Sequence, residues 1–365
     1  MTDTAELPAG NCEFRRCGDA DLPALRRALE RVYPHNPRLR EVDYLEWQYR
    51  QAPGAAVDRP HQLWLNLRNG EIGGWLGCVP VEVAHGGAIV QGSYLQNWYA
   101  GSRDGAGFAL FLKAVEPFAI RLMLGTTVEA DRFYAAMQIP RLAAMPRWVA
   151  FPNPARACEI VGIASAQDVA RVHTCHEELS RALGAPPGST TWSDELAAER
   201  YRPPPEYGAV NGIVRSRAWL DWRYRKIPGH RYMSMTSDTG ELVVYRTEQI
   251  AGRPDSVVRI VEWMVTERHA ASALAEILRR TRADRILLID FSCASPAVAA
   301  GLVRSGFAPI DEFTPGIVPA LFRPLHAGHP ISLALDFPPH RAARTVRWEE
   351  WYITRGDADL DRRKL

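Results

Sequence analysis

A signature near residue 50 recurs near residue 225, and this internal repeat constrains the fold more than any other feature of the sequence. Residues 44–54 and 219–229 share the pattern aromatic, Leu, acid, Trp, any residue, Tyr, Arg, two further residues, Pro and Gly, at an offset of 175 residues. A chain of 365 residues has room for two domains of ordinary size. The repeat therefore predicts one kind of domain present twice.

A second, weaker match pairs the residues after Cys12 with those after Cys158, at an offset of 146 residues. The difference of 29 residues predicts an insertion in the second half, and the proline-containing stretch 184–208 is expected to hold it as a loop. We predict a first domain over 1–152, a second over 153–340, and a tail over 341–365 whose aromatic side chains anchor it across both domains.

Each half has the pattern of an α/β unit. The first half begins with a strand near 13–17 and a helix over about 21–31, and the signature lies on a second helix. Strands at 62–68 and 72–80 are joined at Asn69-Gly70, a strong hairpin signal. Further strands are expected at 81–84, 89–100 and 120–125. This succession predicts strands in a meander, with helices before and after them.

A glycine-containing turn, 102–107, joins the strand that ends at Ala100 to an apolar helix. Gly105 and Gly107 allow the backbone to pass close to a bound group, and the amide groups at the start of the helix favour an anion such as a pyrophosphate. A tight turn without a ligand has the same composition. The position after a run of antiparallel strands favours the phosphate site.

The order strand, glycine turn, helix, strand, helix with Phe133-Tyr134 resembles the GNAT superfamily of N-acyltransferases. The turn of that family reads Gln/Arg-x-x-Gly-x-Gly/Ala; Gly105 and Gly107 match it, whereas Ser102 stands first and Arg103 falls one place later. The resemblance covers both halves. It implies an α/β (α+β) fold of two tandem GNAT-like domains, each a mixed, mostly antiparallel sheet flanked by helices.

The resemblance also implies an acyl donor, acetyl-CoA or another acyl-CoA, whose pantetheine arm lies between the diverging fourth and fifth strands and pairs with 94–99. One amide of that strand would polarise the thioester carbonyl. The donor-binding residues would be Tyr99, Ser102, Arg103, Asp104, Gly105, Ala106 and Gly107.

Tyr134 falls where many family members protonate the departing thiolate, a role that needs a donor still protonated at neutral pH. Packing against the sheet is the alternative for Tyr134. Polar residues near the predicted cleft are also candidates, each equally compatible with a solvated or strand-edge position. They are Glu129 and Asn97 for catalysis, and Glu82, Gln96 and Asp290 for acceptor binding.

The second half lacks this equipment. Its corresponding turn, 266–272, has no glycine and carries Glu267, which would repel a phosphate, and Val303 stands at the place of Tyr134. We therefore expect the second half to be a degenerate copy that serves the architecture or the acceptor.

Composition narrows the partners. A net charge of +2 shows no overall footprint for nucleic acid or an anionic membrane. Six scattered cysteines without a Cys-x-x-Cys pair, and a beginning without a basic or apolar leader, predict a reduced cytoplasmic protein. No cluster with metal-ligand spacing is found, so no metal is expected.

The predicted function is transfer of an acyl group, acetyl by preference, from acyl-CoA to a primary amine of a small molecule, a sugar or a secondary metabolite. An acyl carrier protein is an alternative source of the donor. Two other functions remain open. One is aminoacyl transfer from charged tRNA, as in the peptidoglycan-bridge transferases, and the other is acyl-CoA binding without catalysis.

Overall fold

The computed structural model describes residues 12–55, 61–101, 105–184, 190–322, 325–326, 330–337 and 345–357. Its helices are α1 Leu22–Val32, α2 Val42–Tyr49, α3 Ala106–Val115, α4 Val128–Ala136, α5 Pro154–Val161, α6 Ala166–Gly184, α7 Arg217–Leu220, α8 Ala270–Arg280 and α9 Ala300–Arg304. A π-helical turn, Asp221–Arg225, continues α7.

The strands of the first half are β1 Cys12–Arg16, β2 Leu63–Arg68, β3 Glu71–His85, β4 Ala88–Ala100, β5 Ile120–Leu124, β6 Arg141–Leu142 and β7 Arg147–Ala150. Later strands are β8 Trp192–Ser193, β9 Arg200–Tyr201, β10 Asn211–Ile213, β11 Arg215–Ser216, β12 Met233–Ser237, β13 Leu242–Gln249, β14 Ser256–Met264, β15 Ile286–Ser292, β16 Ala308–Pro309, β17 Leu321–Phe322, β18 Leu325–His326, β19 Leu333–Asp336 and β20 Trp351–Tyr352.

Two large sheets of the same design form the core of the molecule. The first has the order β1-β2-β3-β4-β5-β19-β6, and the second has the order β8-β12-β13-β14-β15-β7-β16. Along each of these paths one neighbouring pair is parallel, β4 with β5 and β14 with β15, and the others are antiparallel. The predicted class, a mixed and mostly antiparallel sheet with helices, is confirmed.

The two sheets exchange a strand. β19, from the second half of the sequence, lies between β5 and β6 of the first sheet, and β7, from the first half, lies between β15 and β16 of the second. A cut after residue 152 would therefore separate each sheet from one of its own strands. β10 adds a further link, because it pairs with the far end of β3.

The repeated signature brings the halves into contact with one another. The rings of Trp47 and Trp222 stack with their centroids 4.9 Å apart and an interplanar angle of 16°. Each indole N–H donates a hydrogen bond to the main-chain carbonyl of the other tryptophan, at 2.8 and 2.7 Å. The repeat thus packs on its own copy about an approximate twofold axis, which explains why both copies keep the tryptophan.

Two sequence expectations about elements are wrong. The expected break between strands at 72–80 and 81–84 does not exist, because β3 runs unbroken through Pro80. Beyond Gly77 that strand has no β2 partner, so the missing N–H of Pro80 removes no ladder bond on that side. The weaker match at offset 146 pairs a strand, β1, with a helix, α5, so it is not a structural repeat.

The segment expected to be an inserted loop, 184–208, is not loop throughout. Its described part carries β8, which pairs with β12 at the edge of the second sheet, and β9, which pairs with β11. β8 occupies the edge position that β1 has in the first sheet. Across the ranges described above, none of the helices is both long enough and apolar enough to span a membrane.

Candidate functional site

The first sheet opens between β4 and β5. These parallel strands pair from Gly92 to Leu95 on β4, and beyond Leu95 the strand continues to Ala100 bonded to β3 alone among the described strands. A bulge lies at the same place, since one residue of β3, Leu76, faces both Asn97 and Trp98. Beyond Leu95 the edge of β4 that faced β5 therefore has no strand partner among the described residues.

Asn97 shapes the bulge. Its φ of 53° is in the left-handed region, which asparagine tolerates better than most residues. Its side-chain amide donates to the Tyr49 hydroxyl at 2.9 Å, and the Tyr49 ring covers Gly77, where an added Cβ would lie 2.5 Å from the ring. Asn97 therefore faces α2, where it positions the strand.

The glycine turn is described from Gly105 onward; Ser102, Arg103 and Asp104 lie outside the described residues. Gly105 has a φ of 84° and directly precedes α3, with open space where a Cβ would stand. At Gly107 a Cβ would come within 2.5 Å of the Ala100 Cβ, so this glycine lets α3 pack against the end of β4. The first turn of α3, with its N-terminal amides, thus lies beside the open edge of the sheet.

Aromatic side chains pack together behind the opening. Tyr134 on α4 is buried, and its ring centroid lies 6.2 Å from that of Trp98 and 5.7 Å from that of Phe133. Burial, with smaller contributions from Tyr94 and Asp336, raises the pKa of Tyr134 well above its usual value. The phenol therefore keeps its proton at neutral pH.

The other predicted site residues of this region lie on β4, α3 and α4. Gln96 and Tyr99 lie on the open part of β4, with the Tyr99 ring 4.6 Å from that of Trp75, and Ala106 begins α3. Glu129 is exposed in the first turn of α4, where its own amide and Thr127 lower its pKa.

Two predicted acceptor-binding residues lie away from the opening. Glu82 is exposed and pairs with Gln91, near the far end of the hairpin. Asp290 is buried on β15 of the second sheet, where Arg147 and Arg259 bind it.

In the second half, side chains of the chain itself contact the turn that corresponds to the glycine turn. The carboxylate of Glu241 accepts the main-chain N–H of Thr266 at 2.8 Å and contacts His269 at 2.7 Å, immediately before α8. Gly301 of α9 packs against the same turn so closely that an added Cβ would lie 2.9 Å from the Ala270 Cβ. A carboxylate of the chain itself therefore lies beside the start of α8.

The second opening, between β14 and β15, is filled as well. β14 and β15 pair as far as Ile260. Beyond that point the Thr354 hydroxyl donates to the Val261 carbonyl at 2.6 Å, and the Trp263 N–H donates to the Tyr352 hydroxyl at 2.9 Å. On the other side, the Ala294 N–H donates to the Ile353 carbonyl. The segment 351–357 therefore lies where a donor's pantetheine arm would have to lie.

The repeat explains one contact that the sequence patterns did not predict. Tyr49 and Tyr224 occupy the same place in the two signatures, and each reaches the fourth strand of its own sheet. Tyr49 accepts from Asn97, and Tyr224 donates to Glu262 at 2.6 Å. The 175-residue offset between these tyrosines was the available signal.

One group of potential metal ligands occurs among the described residues, formed by Asp19, Glu46 and His61. The guanidinium of Arg50 lies among them: it pairs with Asp19 and lies 3.3 Å from Glu46, while His61 contacts Glu46 at 2.9 Å. An arginine cation already neutralises these carboxylates, which disfavours a metal ion at the same place.

Solved structures share this architecture. A GCN5-related N-acetyltransferase from Anabaena variabilis matches 90% of this chain and 73% of its own, with a TM-score of 0.55 and 11% identity. The chain has the GNAT fold. An Enterococcus faecalis protein described as a probable N-acyltransferase matches with a TM-score of 0.51 and 11% identity, over 88% of this chain and 72% of its own.

A third solved structure is also similar to the chain. Saccharomyces cerevisiae N-myristoyltransferase with bound myristoyl-CoA matches 92% of this chain and 81% of its own, with a TM-score of 0.50 and 9% identity. No family model and no curated protein sequence matches the chain.

Proposed function

We propose that this chain is an acyltransferase that moves an acyl group from acyl-CoA, with acetyl-CoA as donor, to a primary amine of a small molecule. The observation that carries the proposal is the parting of β4 from β5 at a bulge, directly followed by a glycine turn and the start of α3. An open strand edge suits the amide-rich pantetheine arm, and a helix start suits the pyrophosphate.

The residues of this opening have defined tasks in the reaction. A main-chain amide of β4 near the bulge hydrogen-bonds the thioester carbonyl and stabilises the negative charge that develops on its oxygen. The buried Tyr134, whose phenol carries its proton at neutral pH, donates that proton to the departing thiolate. The apolar rings of Trp98 and Phe133 exclude water from the reacting centre.

Each chain uses one donor site. The second sheet has the same parallel pair, but Glu241 occupies its anion position and the segment 351–357 occupies its opening. Aminoacyl transfer from tRNA has no comparable support, since a near-neutral chain offers no excess of positive charge for the nucleic acid.

A matched pair of glycine variants tests the donor site. Gly105 and Gly70 have φ values of 84° and 81°, and an added Cβ meets nothing within 4 Å at either. Gly105→Glu and Gly70→Glu therefore introduce the same backbone strain of about 1–2 kcal/mol and the same charge. Only Gly105→Glu places the charge beside the proposed pyrophosphate.

Two like charges about 4 Å apart repel by about 4 kcal/mol at an effective dielectric constant of about 20. A loss of only about a third of this energy from the binding free energy lowers the affinity about tenfold. We therefore expect calorimetry to show acetyl-CoA binding that Gly105→Glu weakens at least ~10-fold and Gly70→Glu leaves unchanged. Equal affinities for both variants, or no saturable binding by the wild type, would overturn the proposal.

A further inference from the structure

A small cavity lies between the two halves, beside the stacked tryptophans of the repeat. Its volume is about 20 Å³, enough for one group the size of water or of an ammonium head. Its wall includes Trp47, Gln48, Gln96, Trp219, Trp222 and Asp357. The cavity thus combines residues of α2, β4, the second signature and the tail segment.

Polar atoms in this wall have no hydrogen-bond partner among the described residues. They are both side-chain amide atoms of Gln48, Oε1 of Gln96, Oδ1 of Asp357 and the indole Nε1 of Trp219. The four residues are only 1%, 9%, 4% and 4% exposed. A buried polar atom without a partner costs about 1–3 kcal/mol. Several around one small space indicate a site built for a polar occupant.

Three of the unpartnered atoms are oxygens that accept hydrogen bonds, whereas the amide nitrogen of Gln48 and the indole of Trp219 donate, so the wall suits an amine, which can do both. Oδ2 of Asp357 accepts from Arg215 at 2.7 Å and from the Thr354 N–H at 2.8 Å, which holds the carboxylate in place and leaves Oδ1 for the cavity. Carbonyl oxygens of two glutamines can accept further hydrogen bonds. Indole rings attract a cation through their π faces.

The charges around the cavity are balanced without an occupant. Arg215 pairs with Asp357 and Glu262, and Arg223, which also lines the cavity, donates its Nε–H to the Gly356 carbonyl at 2.8 Å. An ammonium head therefore adds one positive charge to the site, and the release of one proton from the site to solvent removes that charge.

We propose that this cavity holds the nitrogen of the acceptor amine and that Asp357 takes the proton from it. The proposal rests on the acyl transfer proposed above. Gln96 connects the two sites, because it lines the cavity and directly precedes the bulge residue Asn97, about 3.3 Å further along the strand. The acceptor nitrogen would therefore lie on the α2 side of the open strand.

The ammonium gives one proton to Oδ1 of Asp357, and the free lone pair attacks the thioester carbon, forming the C–N bond. Loss of the second nitrogen proton to solvent and cleavage of the C–S bond then give the amide and a thiolate. Tyr134 protonates the thiolate and regains a proton from solvent, and Asp357 returns its proton to solvent. One proton in total passes to solvent for each amide formed.

Thallium(I), a monovalent cation close to ammonium in size, probes the cavity without a known acceptor. Crystals of the full chain soaked in thallium(I) acetate should show an anomalous peak beside Asp357, removed by excess ammonium chloride and absent from Asp357→Asn. An empty cavity in the wild type, or the same peak in Asp357→Asn, would overturn the proposal. Because this readout needs no acyl-CoA, it remains decisive if the proposed function fails.

Kinetics with acetyl-CoA and methylamine, the smallest primary amine probe, test the proton transfer. We expect Asp357→Asn to lower kcat/KM about 100-fold. We also expect a rate for this variant that rises with pH as more amine is free. Gln48→Leu should raise the KM for methylamine about tenfold, about the effect of losing one hydrogen bond to a charged group.

Exposed residues of the same helix region, in Asp43→Asn and Gln51→Leu, are the matched controls and should behave as wild type. Unchanged acetyl-CoA affinity in all four variants would show that the fold and the donor site are intact. Kinetics of Asp357→Asn and Gln48→Leu equal to those of the controls would overturn the proposal, as would a wild type that binds acetyl-CoA without acylating methylamine.

Discussion

Replacing Trp47 or Trp222 by phenylalanine should weaken the contact between the halves by equal amounts. Each replacement keeps an aromatic ring in the stack, whose centroids are 4.9 Å apart, but removes one indole N–H that donates to a buried main-chain carbonyl at 2.8 or 2.7 Å. A buried carbonyl left without its donor costs about 1–3 kcal/mol. We therefore expect each variant to lose about 2 kcal/mol of unfolding free energy.

Urea unfolding of the full chain, followed by circular dichroism, measures this loss. The double variant should lose about 0.5–1.5 kcal/mol less than the two single losses together, because the rings of the pair also interact directly. Trp64→Phe, at a half-buried position on β2, is the control and should stay within about 0.5 kcal/mol of wild type. A large loss in one single variant and none in the other would refute a symmetric contact between two copies of the signature.

Further expectations concern the donor site, the tail segment and pH. Tyr134→Phe should slow acyl transfer about 10²-fold or more with unchanged acetyl-CoA affinity, and equal rates in stopped-flow assays would exclude its role as the acid. Gly356→Ala would bring a Cβ within 2.1 Å of the Tyr224 hydroxyl, so we expect unfolding free energy to fall by about 1–3 kcal/mol; an unchanged value would mean that segment 351–357 does not fill the second opening. Two neighbouring guanidinium groups lower the pKa of Glu276 from 4.5 to about 2. As the pH decreases, this carboxylate is therefore protonated in the unfolded chain before it is protonated in the folded chain. The free energy of unfolding should then fall as the pH decreases from about 4.5 to about 2. Glu276→Gln should flatten the pH dependence of unfolding in that window, and an identical slope would contradict the assignment.

The sequence predicts the repeated fold well because its signals are local or periodic. The two signatures, the Asn69-Gly70 hairpin and the glycine turn each involve a few adjacent residues whose backbone demands are specific. The exchange of β7 and β19 has no such signal. Each of these strands is only 4 residues long, and so short a sequence does not indicate which of two similar sheets the strand joins.

The candidate site is likewise predictable from the sequence only in part. Gly105 and Gly107 could be found because only glycine suits a left-handed turn or a close helix-strand contact. The sequence could not identify Glu241, Gln48 and Asp357, because their roles depend on contacts between residues far apart in the chain. The match at offset 146 failed because a few shared residue types do not distinguish a strand from a helix.

The central claim is that one half binds the acyl donor while the chain itself occupies the equivalent place in the other half. Isothermal titration of the full chain with acetyl-CoA tests it most directly. The structure predicts saturable binding with one molecule of acetyl-CoA per chain, abolished or strongly weakened by Gly105→Glu. Binding of two molecules per chain, or of none, would contradict it.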